Sequence, residues 1–578
     1  MERWRLFSLK LPLNHSSADL QRAICRKLGI KPEALRGHQI VKQSVDARQR
    51  DAITLVYALD LDLNLTSADR ARLRRRFANG SQLRPTPDHT YRFVVSPQPG
   101  SRAAERPLVI GAGPCGYFAA LLLAQMGFRP LLLERGQPVK RRSADTFGFW
   151  RGEQGFDPES NVQFGEGGAG TFSDGKLYSQ ISEPPTYVRK VLEELVASGA
   201  NPEILTQHRP HIGTFRLATV VRGLRAKIEG LGGEVRFACR VDGLILAADG
   251  SRQVRGVRLA DGTSLAASHV VLAVGHSARD TFHWLEEQGV TLERKAFAVG
   301  LRIEHPQGLI DRARWGEQAG HPRLGSAEYK LVHHTANGRD VYSFCMCPGG
   351  WVVAATSEEG CVATNGMSQH SRRERNANSG LVVNITTRDV EPWGRWPGDP
   401  LAGVAFQRHW EHQAFRAGGG TYRAPAQTLA DFLSSPPGSD RSGNTEAVRG
   451  EGSVKGSYRP GLAMTSLEGC LPDYVMAALR EALPHFATCL PGYLLDDALL
   501  TGVETRTSSP LRICRHSENL QSENTPGLYP AGEGAGYAGG ILSAAIDGLK
   551  VAEALALALS SPPPLPPGAP GESACAPA

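Results

Sequence analysis

The first 97 residues alternate apolar and polar positions in short runs, and these are separated by runs with helical spacing. Ser16 or Ser17 is placed to cap a first helix and Gly29 to end it, while Ser67 is placed to cap a second helix. The pattern predicts strands over 4–11, 39–45, 53–63 and 91–95, and helices that end at 28 and 77. A β-α-β-β-α-β order is typical of the ferredoxin-like fold. We therefore expect an N-terminal ferredoxin-like domain without a recognisable catalytic group.

A second regular pattern starts at the apolar run 107–110, which predicts a strand. The turn Gly111-Ala112-Gly113-Pro114-Cys115-Gly116 follows at once, and an Ala/Leu-rich run over 117–126 then predicts a helix. A further apolar strand over 129–133 ends in Glu134. Strand, glycine-rich turn, helix, strand and acidic residue stand in the order of a dinucleotide-binding unit. A glycine-rich turn of purely structural origin would not account for the acidic residue.

Each glycine of this turn has its own physical role. Gly111 permits the tight turn, Gly113 lets a pyrophosphate approach the backbone, and Gly116 lets the helix pack close to the strand. The N-terminus of the helix offers free N–H groups and the positive end of its dipole to the phosphates. Glu134 follows Gly116 by 18 residues and is placed to accept hydrogen bonds from the adenosine ribose.

A second glycine-rich segment covers 527–541. It begins with a short predicted strand that delivers Gly532 and Glu533, and a helix is predicted to follow over 542–559. In FAD proteins with two motifs, an acidic residue at this place binds the ribityl chain. The N-terminus of the following helix can then stabilise the negative charge of reduced flavin. An apolar run over 269–275 has the form of a strand that returns to the same domain and ends at Gly275, and Val241 is expected beside the adenine.

The segment 165–176 is unusually dense in glycine, which is costly in backbone entropy. Close packing against a flat cofactor such as the isoalloxazine would explain it, and so would a cluster of structural turns. Two further segments, 364–368 and 375–379, are polar and turn-prone. They would either line a pocket or form ordinary loops.

Candidate reactive groups are few. Cys345 and Cys347 are one residue apart, so on a strand both would face the same side. One of them could be a redox-active thiol or a neighbour of the flavin, or both could be small buried core residues. Arg506 could hold an anionic substrate or the flavin O2 edge, or pair with Glu504. His276 and Arg279 are weaker candidates of the same kind. No cysteine spacing indicates a metal site.

Composition narrows the class of protein. Hydrophobic residues make up 41% and charged residues 21% of the 578 residues, which is ordinary for a globular protein. No apolar run is long enough for a bilayer span, and the N-terminus lacks a signal-peptide pattern, so a cytoplasmic protein is expected. Residues 1–100 hold 18 Lys and Arg against 9 Asp and Glu. The arginines over 70–76 are either the solvated face of a helix or a contact for a polyanion such as nucleic acid.

With these motifs in place, the chain resembles a family of FAD-dependent dehydrogenases within the glutathione-reductase-like flavoprotein clan. The stretches that carry the resemblance are GAGPCG with LLLERG, GEGGAGTFSDGKL, AVGHSARDTF, FCMCPGG, VETRTSSPLRI and YPAGEGAGYAGGILSAAIDG. With the strand pair around 45–48, which also resembles the leading domain of the family, they span about 40–549, most of the chain. The resemblance implies an α/β fold, bound FAD and a redox role, and it implies no particular substrate.

Together these observations predict an FAD-dependent oxidoreductase that acts on an organic small molecule. Because no second dinucleotide-binding unit is recognisable, the flavin would be reduced either by the substrate itself or by NAD(P)H as a transient electron donor. A flavin-dependent nucleic-acid-modifying enzyme and a non-catalytic flavin-binding protein are the alternatives. The oligomeric state is left open.

The predicted architecture is a Rossmann-like FAD-binding domain of glutathione-reductase type with an inserted mixed α+β substrate domain. The predicted segments are an N-terminal domain at 1–97, a linker at 98–106, the FAD-binding domain at 107–289 and 501–559, the insert at 290–500, and a disordered proline-rich tail at 560–578. The predicted cofactor contacts are Gly111, Gly113, Pro114, Cys115, Gly116, Glu134, Arg135, Gly167, Gly168, Thr171, Lys176, Val241, Gly275, Gly532, Glu533, Gly539, Gly540 and Ile541. The predicted catalytic residues are Cys345, Cys347 and Arg506.

Overall fold

The computed structural model describes residues 2–96, 106–178, 182–434 and 452–560. The predicted linker at 98–106 and the predicted tail at 560–578 lie almost wholly outside these ranges. The α-helices are α1 Ser17–Leu28, α2 Ser67–Arg76, α3 Pro114–Gln125, α4 Val139–Trp150, α5 Pro185–Ala197, α6 Thr214–Gly230, α7 Arg279–Glu287, α8 Gln307–Trp315, α9 Ala402–Ala417, α10 Leu429–Ser434, α11 Asp473–Cys489 and α12 Ile541–Ser560. None of the described helices combines the length and the apolar character that crossing a bilayer requires.

The strands fall into five sheets. In chain order they are β1 Glu2–Pro12, β2 Leu35–Asp46, β3 Thr54–Leu63, β4 Leu83–Pro85, β5 Leu108–Ile110, β6 Leu131–Leu133, β7 Glu234–Arg236, β8 Val241–Leu246, β9 Val254–Leu259, β10 Ser264–Ala266, β11 Val270–Leu272, β12 Leu292–Arg294, β13 Phe297–Pro306, β14 Val332–His334, β15 Asp340–Ala354, β16 Thr364–Ser368, β17 Asn376–Ile385, β18 Ala424–Thr428, β19 Leu462–Met464, β20 Leu499–Glu504, β21 Leu511–Ile513 and β22 Leu528–Pro530.

The N-terminal unit is an antiparallel sheet of order β2-β3-β1-β4, with α1 and α2 in the two crossovers. Ser16 caps α1 in a capping box with Asp19, and Gly29 ends the helix in the left-handed conformation. Thr66 rather than Ser67 caps α2, because the Thr66 hydroxyl accepts from the Asp69 N–H at 3.1 Å. The β-α-β-β-α-β order expected from the alternation of the sequence is therefore present.

The fourth strand of this sheet is at 83–85, so the strand predicted over 91–95 is wrong. The segment around Tyr91 instead packs against the main body of the protein. Its hydroxyl donates to Glu553 of α12 at 2.5 Å, and its ring lies 6.1 Å from that of Tyr187. Tyr91 and Val95 pack against the hydrophobic core that includes α5 and α12, whereas Phe93 and Val94 are exposed.

A parallel sheet of order β22-β11-β5-β6-β7 forms the centre of the main body. The chain places β6 and β7 on one side of β5, and β11 and β22 on the other. The strand order therefore reverses at β5. Open α/β sheets bind their ligands at such a reversal, in the crevice outside the carboxyl ends of the strands.

Two buried helices cover this sheet beside the crevice. α3 is buried over 115–124, and α12 packs directly against it. A Cβ at Gly548 would lie 2.2 Å from the carbonyl oxygen of Cys115, so only glycine permits this close packing. A small antiparallel sheet of order β10-β9-β8 is inserted between β7 and β11.

The second large unit is an eight-stranded, mostly antiparallel sheet that runs along the chain from β13 to β20. It is joined to the parallel sheet through the short pair β12 and β21. The prediction that 364–368 and 375–379 are loops or pocket linings is wrong in secondary structure, because they are β16 and the start of β17. Their polar side chains are hydrogen-bonded within the sheet: Asn378 accepts from Arg302, Asn376 donates to Glu304, and Ser368 donates to the carbonyl of Pro348.

Candidate functional site

The glycine-rich turn after β5 lies at the crevice where the strand order reverses. Gly111 has φ +101°, and a Cβ there would lie 2.4 Å from the carbonyl oxygen of Ala273. A Cβ at Gly116 would lie 1.8 Å from the carbonyl oxygen of Gly111. These two glycines are required by packing of the turn itself. Gly113 differs, since a Cβ there would meet nothing closer than Gly168 at 3.9 Å.

The glycine-dense loop at 165–168 packs on this turn. The N–H of Gly167 donates to the carbonyl of Ala112 at 2.8 Å, and a Cβ at Gly168 would lie 3.0 Å from the Cα of Gly113. A Cβ at Gly167 would lie 2.1 Å from the hydroxyl oxygen of Thr171. Contacts within the protein thus account for the glycines of this loop, which favours structural turns over packing against a cofactor as their cause.

Arg142 of α4 fixes the same loop. Its guanidinium is fully buried. It donates to backbone carbonyls of Asn161, Val162, Gly165, Glu166 and Gly168. Burial lowers the pKa of Arg142 to about 10, so it remains a cation at neutral pH. No pattern in the sequence indicated this residue, because it stands in a run of basic residues that resembles an exposed helix face.

Glu134 and Arg135 are already engaged by the protein. The two oxygens of Glu134 accept from the N–H groups of Ala112, Gly136 and Gly165 at 2.7, 2.9 and 2.9 Å. This carboxylate ties the turn to the loop at 165–168 and is only 5% exposed. Arg135 forms a two-bond ion pair with Glu159 and a further one with Asp280.

The second glycine-rich segment meets the first across α3. Gly532 donates to Asp547 at 2.7 Å, and Arg515 forms two hydrogen bonds with the same carboxylate. A Cβ at Gly532 would lie 2.8 Å from the Cβ of Cys115. Asp547 was missed in the sequence, although an acidic residue inside an apolar helix was an available signal.

The loop, α3 and α12 converge beside this contact. A Cβ at Gly170 would lie 3.0 Å from Ile541 and 3.7 Å from Pro114, which begin the two helices. Thr171 is buried in the same place. Val241, by contrast, is buried in the core between the parallel sheet and the β8-β9-β10 sheet.

His276 and Glu533 face each other where β11 and β22 end. Nδ1 of His276 lies 3.2 Å from Oε1 of Glu533. Burial alone would raise the pKa of Glu533, but the contact with His276 lowers it overall. Nε2 of His276 is buried and has no hydrogen-bond partner among the described residues. If Nδ1 donates to Glu533, the neutral ring leaves Nε2 as an acceptor that lacks a donor.

Open space adjoins this pair. A Cβ at Gly275, Gly539 or Gly540 would meet no heavy atom within 4 Å. Gly113, which is almost as open, lies at the N-terminus of α3, where N–H groups have no partner inside the helix. The crevice therefore offers anion-binding N–H groups at one end and a buried acceptor with a carboxylate at the other. Those are the groups that the pyrophosphate and the sugar hydroxyls of a dinucleotide need, so the residues present fit FAD.

Cys345 and Cys347 lie in β15 beside a buried ion pair. Arg302 of β13 binds both oxygens of Glu504, at 2.7 and 2.9 Å, and the amide oxygen of Asn378 at 2.7 Å. The ammonium of Lys176 donates to the carbonyl of Met346, between the two cysteines. Lys176 is therefore placed with the cysteines, and the sequence did not indicate Arg302 or Asn378.

Arg506 does not pair with Glu504. Its guanidinium forms two hydrogen bonds with Glu411 and further ones with Ser277 and Ser357. Arg279 binds Glu411 as well. The guanidinium of Arg506 is thus committed to a buried network and is not available to hold an anionic substrate.

A group of possible metal ligands lies in that network. Ligand atoms of Glu358, Cys361 and Glu411 lie within 4.8 Å of one another. Both carboxylates are bound by guanidinium groups, with Arg279 contacting each of them. Arginine neutralises the charge that a cation would otherwise balance, and the arrangement is that of a structural ion-pair network.

Comparison with known proteins gives two domain matches and one relative over nearly the whole chain. Residues 296–507 match a family described as FAD-dependent protein, C-terminal domain-like, and residues 3–62 match a domain of unknown function. An uncharacterised protein of Clostridium beijerinckii is 42% identical over 551 residues, which cover 95% of this chain and 98% of that protein.

Solved structures show more distant likeness. The GidA-related protein from Thermus thermophilus is 20% identical, with 34% of this chain and 73% of that chain covered and a TM-score of 0.21. CtdE, solved in complex with FAD and a substrate, is 11% identical, with 78% and 80% covered and a TM-score of 0.30.

Proposed function

The chain belongs to the family of FAD-dependent proteins that share this C-terminal domain, and from that premise we propose that it is an oxidoreductase with FAD in the crevice at β5 and β11. The observation that carries the proposal is the open space at Gly275, Gly539 and Gly540 beside the unpartnered Nε2 of His276. It lies where the strand order of the parallel sheet reverses.

Different residues would bind different parts of the cofactor. Gly113 and the N-terminus of α3 would hold the pyrophosphate, because N–H groups and the helix dipole favour an anion there. His276 and Glu533 would hold sugar hydroxyls, with Glu533 fixing the ring so that Nε2 accepts. Glu134 would position the turn and the loop at 165–168 by the backbone bonds it already makes, instead of contacting the ribose alone as the sequence suggested.

FAD, when bound, supplies the transfer of a hydride or of single electrons. The protein would supply the electrostatic setting. α12 begins at Ile541 directly after two open glycines, and its N-terminal dipole favours negative charge in the adjoining space. The eight-stranded sheet would supply the surface that selects an organic substrate.

Anaerobic visible spectroscopy of the full-length protein tests the proposal. The protein is loaded with FAD, freed from excess cofactor, and mixed in turn with NADH, NADPH and candidate organic donors. We expect the flavin absorption to bleach with at least one donor faster than it does for the same concentration of free FAD. A protein that retains no FAD would refute the cofactor site. Retained FAD that no donor reduces faster than free FAD would refute the oxidoreductase activity.

A further inference from the structure

The strand β15 is irregular at the two cysteines. In a regular strand, residues two apart are separated by about 6.6 Å, so neighbouring thiols on one face do not contact each other closely. Here the pairing of β15 with β17 shifts between Phe344 and Cys347, with three steps on one strand against two on the other. Cys345 has φ +43°, which is uncommon for a residue other than glycine. This bulge breaks the regular alternation of the strand, and the Cys347 thiol lies close enough to the Cys345 thiol to favour its ionisation.

The two thiols differ in access. Cys345 is half-buried, whereas Cys347 is completely buried. Sγ of Cys347 also lies 3.3 Å from the carbonyl oxygen of Cys345, and a Cβ at Gly366 would lie 2.8 Å from that sulfur. The packing thus leaves residue Cys345 partly exposed and encloses Cys347.

The two thiols also differ in how readily they ionise. Hydrogen bonding by Cys347 favours the Cys345 thiolate, and so does positive charge from Lys176 and Arg302, while burial and Glu504 oppose it. The net result lowers the pKa of Cys345 to about 6 and raises that of Cys347. Among the cysteines in the described ranges, no other shows a lowered pKa; burial raises that of Cys361 to about 12.

A buried polar group adjoins the pair. Asn378 of β17 lies opposite Cys347 in the sheet, and its Nδ2 is buried with no acceptor among the described residues. Its amide oxygen is taken by Arg302. An unused donor beside the thiols is what a sulfur anion needs.

We propose that Cys345 and Cys347 form a dithiol–disulfide couple that reduces a low-molecular-weight disulfide. The Cys345 thiolate attacks one sulfur of the disulfide, so a mixed disulfide forms and the first thiolate leaves. Cys347 then gives its proton to that thiolate and attacks the Cys345 sulfur, which releases the second thiolate. Two electrons pass from the dithiol to the disulfide, and the chain keeps an intramolecular disulfide. This chemistry does not depend on FAD.

Mass spectrometry of the full-length protein tests the exchange. The reduced protein is incubated with glutathione disulfide, quenched with iodoacetamide and digested. We expect the peptide that contains both residues to lose two hydrogens and to carry no glutathione. C347S should trap glutathione on Cys345, and C345S should show neither product. C361S, which changes a buried cysteine of the same peptide, should behave as the parent protein does.

A second measurement needs no variant. The rate of iodoacetamide labelling at Cys345 is followed from pH 5 to pH 9 in the reduced parent protein. We expect its midpoint near pH 6, against about 8.5 for a free thiol. A midpoint above 8 would overturn the assignment of Cys345 as the attacking thiol. Glutathione retained on Cys345 in the parent protein, or both cysteines still open to iodoacetamide after glutathione disulfide, would overturn the couple.

Discussion

Replacing Gly539 with leucine separates cofactor binding from the stability of the fold. Gly539 does not have the left-handed backbone conformation, and a Cβ there would meet no heavy atom within 4 Å. The protein itself therefore accepts a side chain at this position. Removing a glycine also restricts the unfolded chain, which stabilises a protein by about 0.4–1 kcal/mol where the backbone permits it. G539L is thus expected to unfold at the same temperature as the parent protein or slightly higher.

Binding of FAD should respond in the opposite direction. If the cofactor occupies the open space beside Gly539, leucine must overlap it or displace it. Forcing extra methylene groups into an occupied space costs about 1–3 kcal/mol. That corresponds to a rise in the Kd for FAD of roughly 5- to 160-fold.

Gly230 provides the matched control. It ends α6, has an ordinary φ, and a Cβ there would also meet nothing within 4 Å. Kd values for FAD are measured by fluorescence titration of parent, G539L and G230L, and Tm values by circular dichroism of the apo-proteins. G230L should bind FAD as the parent does. If G539L also binds FAD with the parental Kd, the cofactor does not occupy this space and the proposed site is wrong.

Three further predictions concern stability. R142M should lower the free energy of unfolding by at least about 3 kcal/mol, because it leaves backbone carbonyls buried without donors; urea denaturation measures this, and a loss under 1 kcal/mol would contradict it. R302M should lower the free energy of unfolding by about 3–5 kcal/mol, because it leaves the Glu504 carboxylate buried without its cation. R302M/E504L should lower it less than R302M alone does. Equal losses for the two variants in denaturation experiments would argue against a pair. Burial alone would raise the pKa of Glu194, but hydrogen bonds from lysines and Gln125 lower it to about 2 from 4.5. The stability that ionised Glu194 gives the fold is thus present above pH 4.5 and is lost as the pH falls toward 2. Between pH 4.5 and pH 2, the Tm of E194Q should fall less steeply than that of the parent protein. An equally steep fall in both proteins would refute the assignment.

The regular elements could be predicted from the sequence because local chemistry specifies them. The capping box at Ser16 and the left-handed Gly29 delimit α1 as expected. The strand at 269–275 and the last helix were also placed correctly within a few residues. The prediction of a strand at 91–95 failed because this segment docks against α12 through Tyr91 instead of pairing with another strand.

The partners of charged side chains could not be predicted in the same way. Arg506 stands two residues from Glu504 in the chain, yet each pairs with a residue from a distant segment, Glu411 and Arg302. β20 ends at Glu504, so the chain has left the strand before Arg506 and the two side chains do not share a strand face. Only the arrangement of the strands decides which opposite charge each face meets.

The sequence by itself determined the two glycine-rich segments, the elements around them and the likeness to FAD-dependent proteins. These depend on contacts between residues close along the chain and on backbone freedom that only glycine has. The tertiary structure alone decided that His276 meets Glu533, that Arg142 holds the loop at 165–168, and that β15 bulges at Cys345 and Cys347. Those contacts join segments that pack together although they are far apart along the chain. No short stretch of sequence specifies such packing.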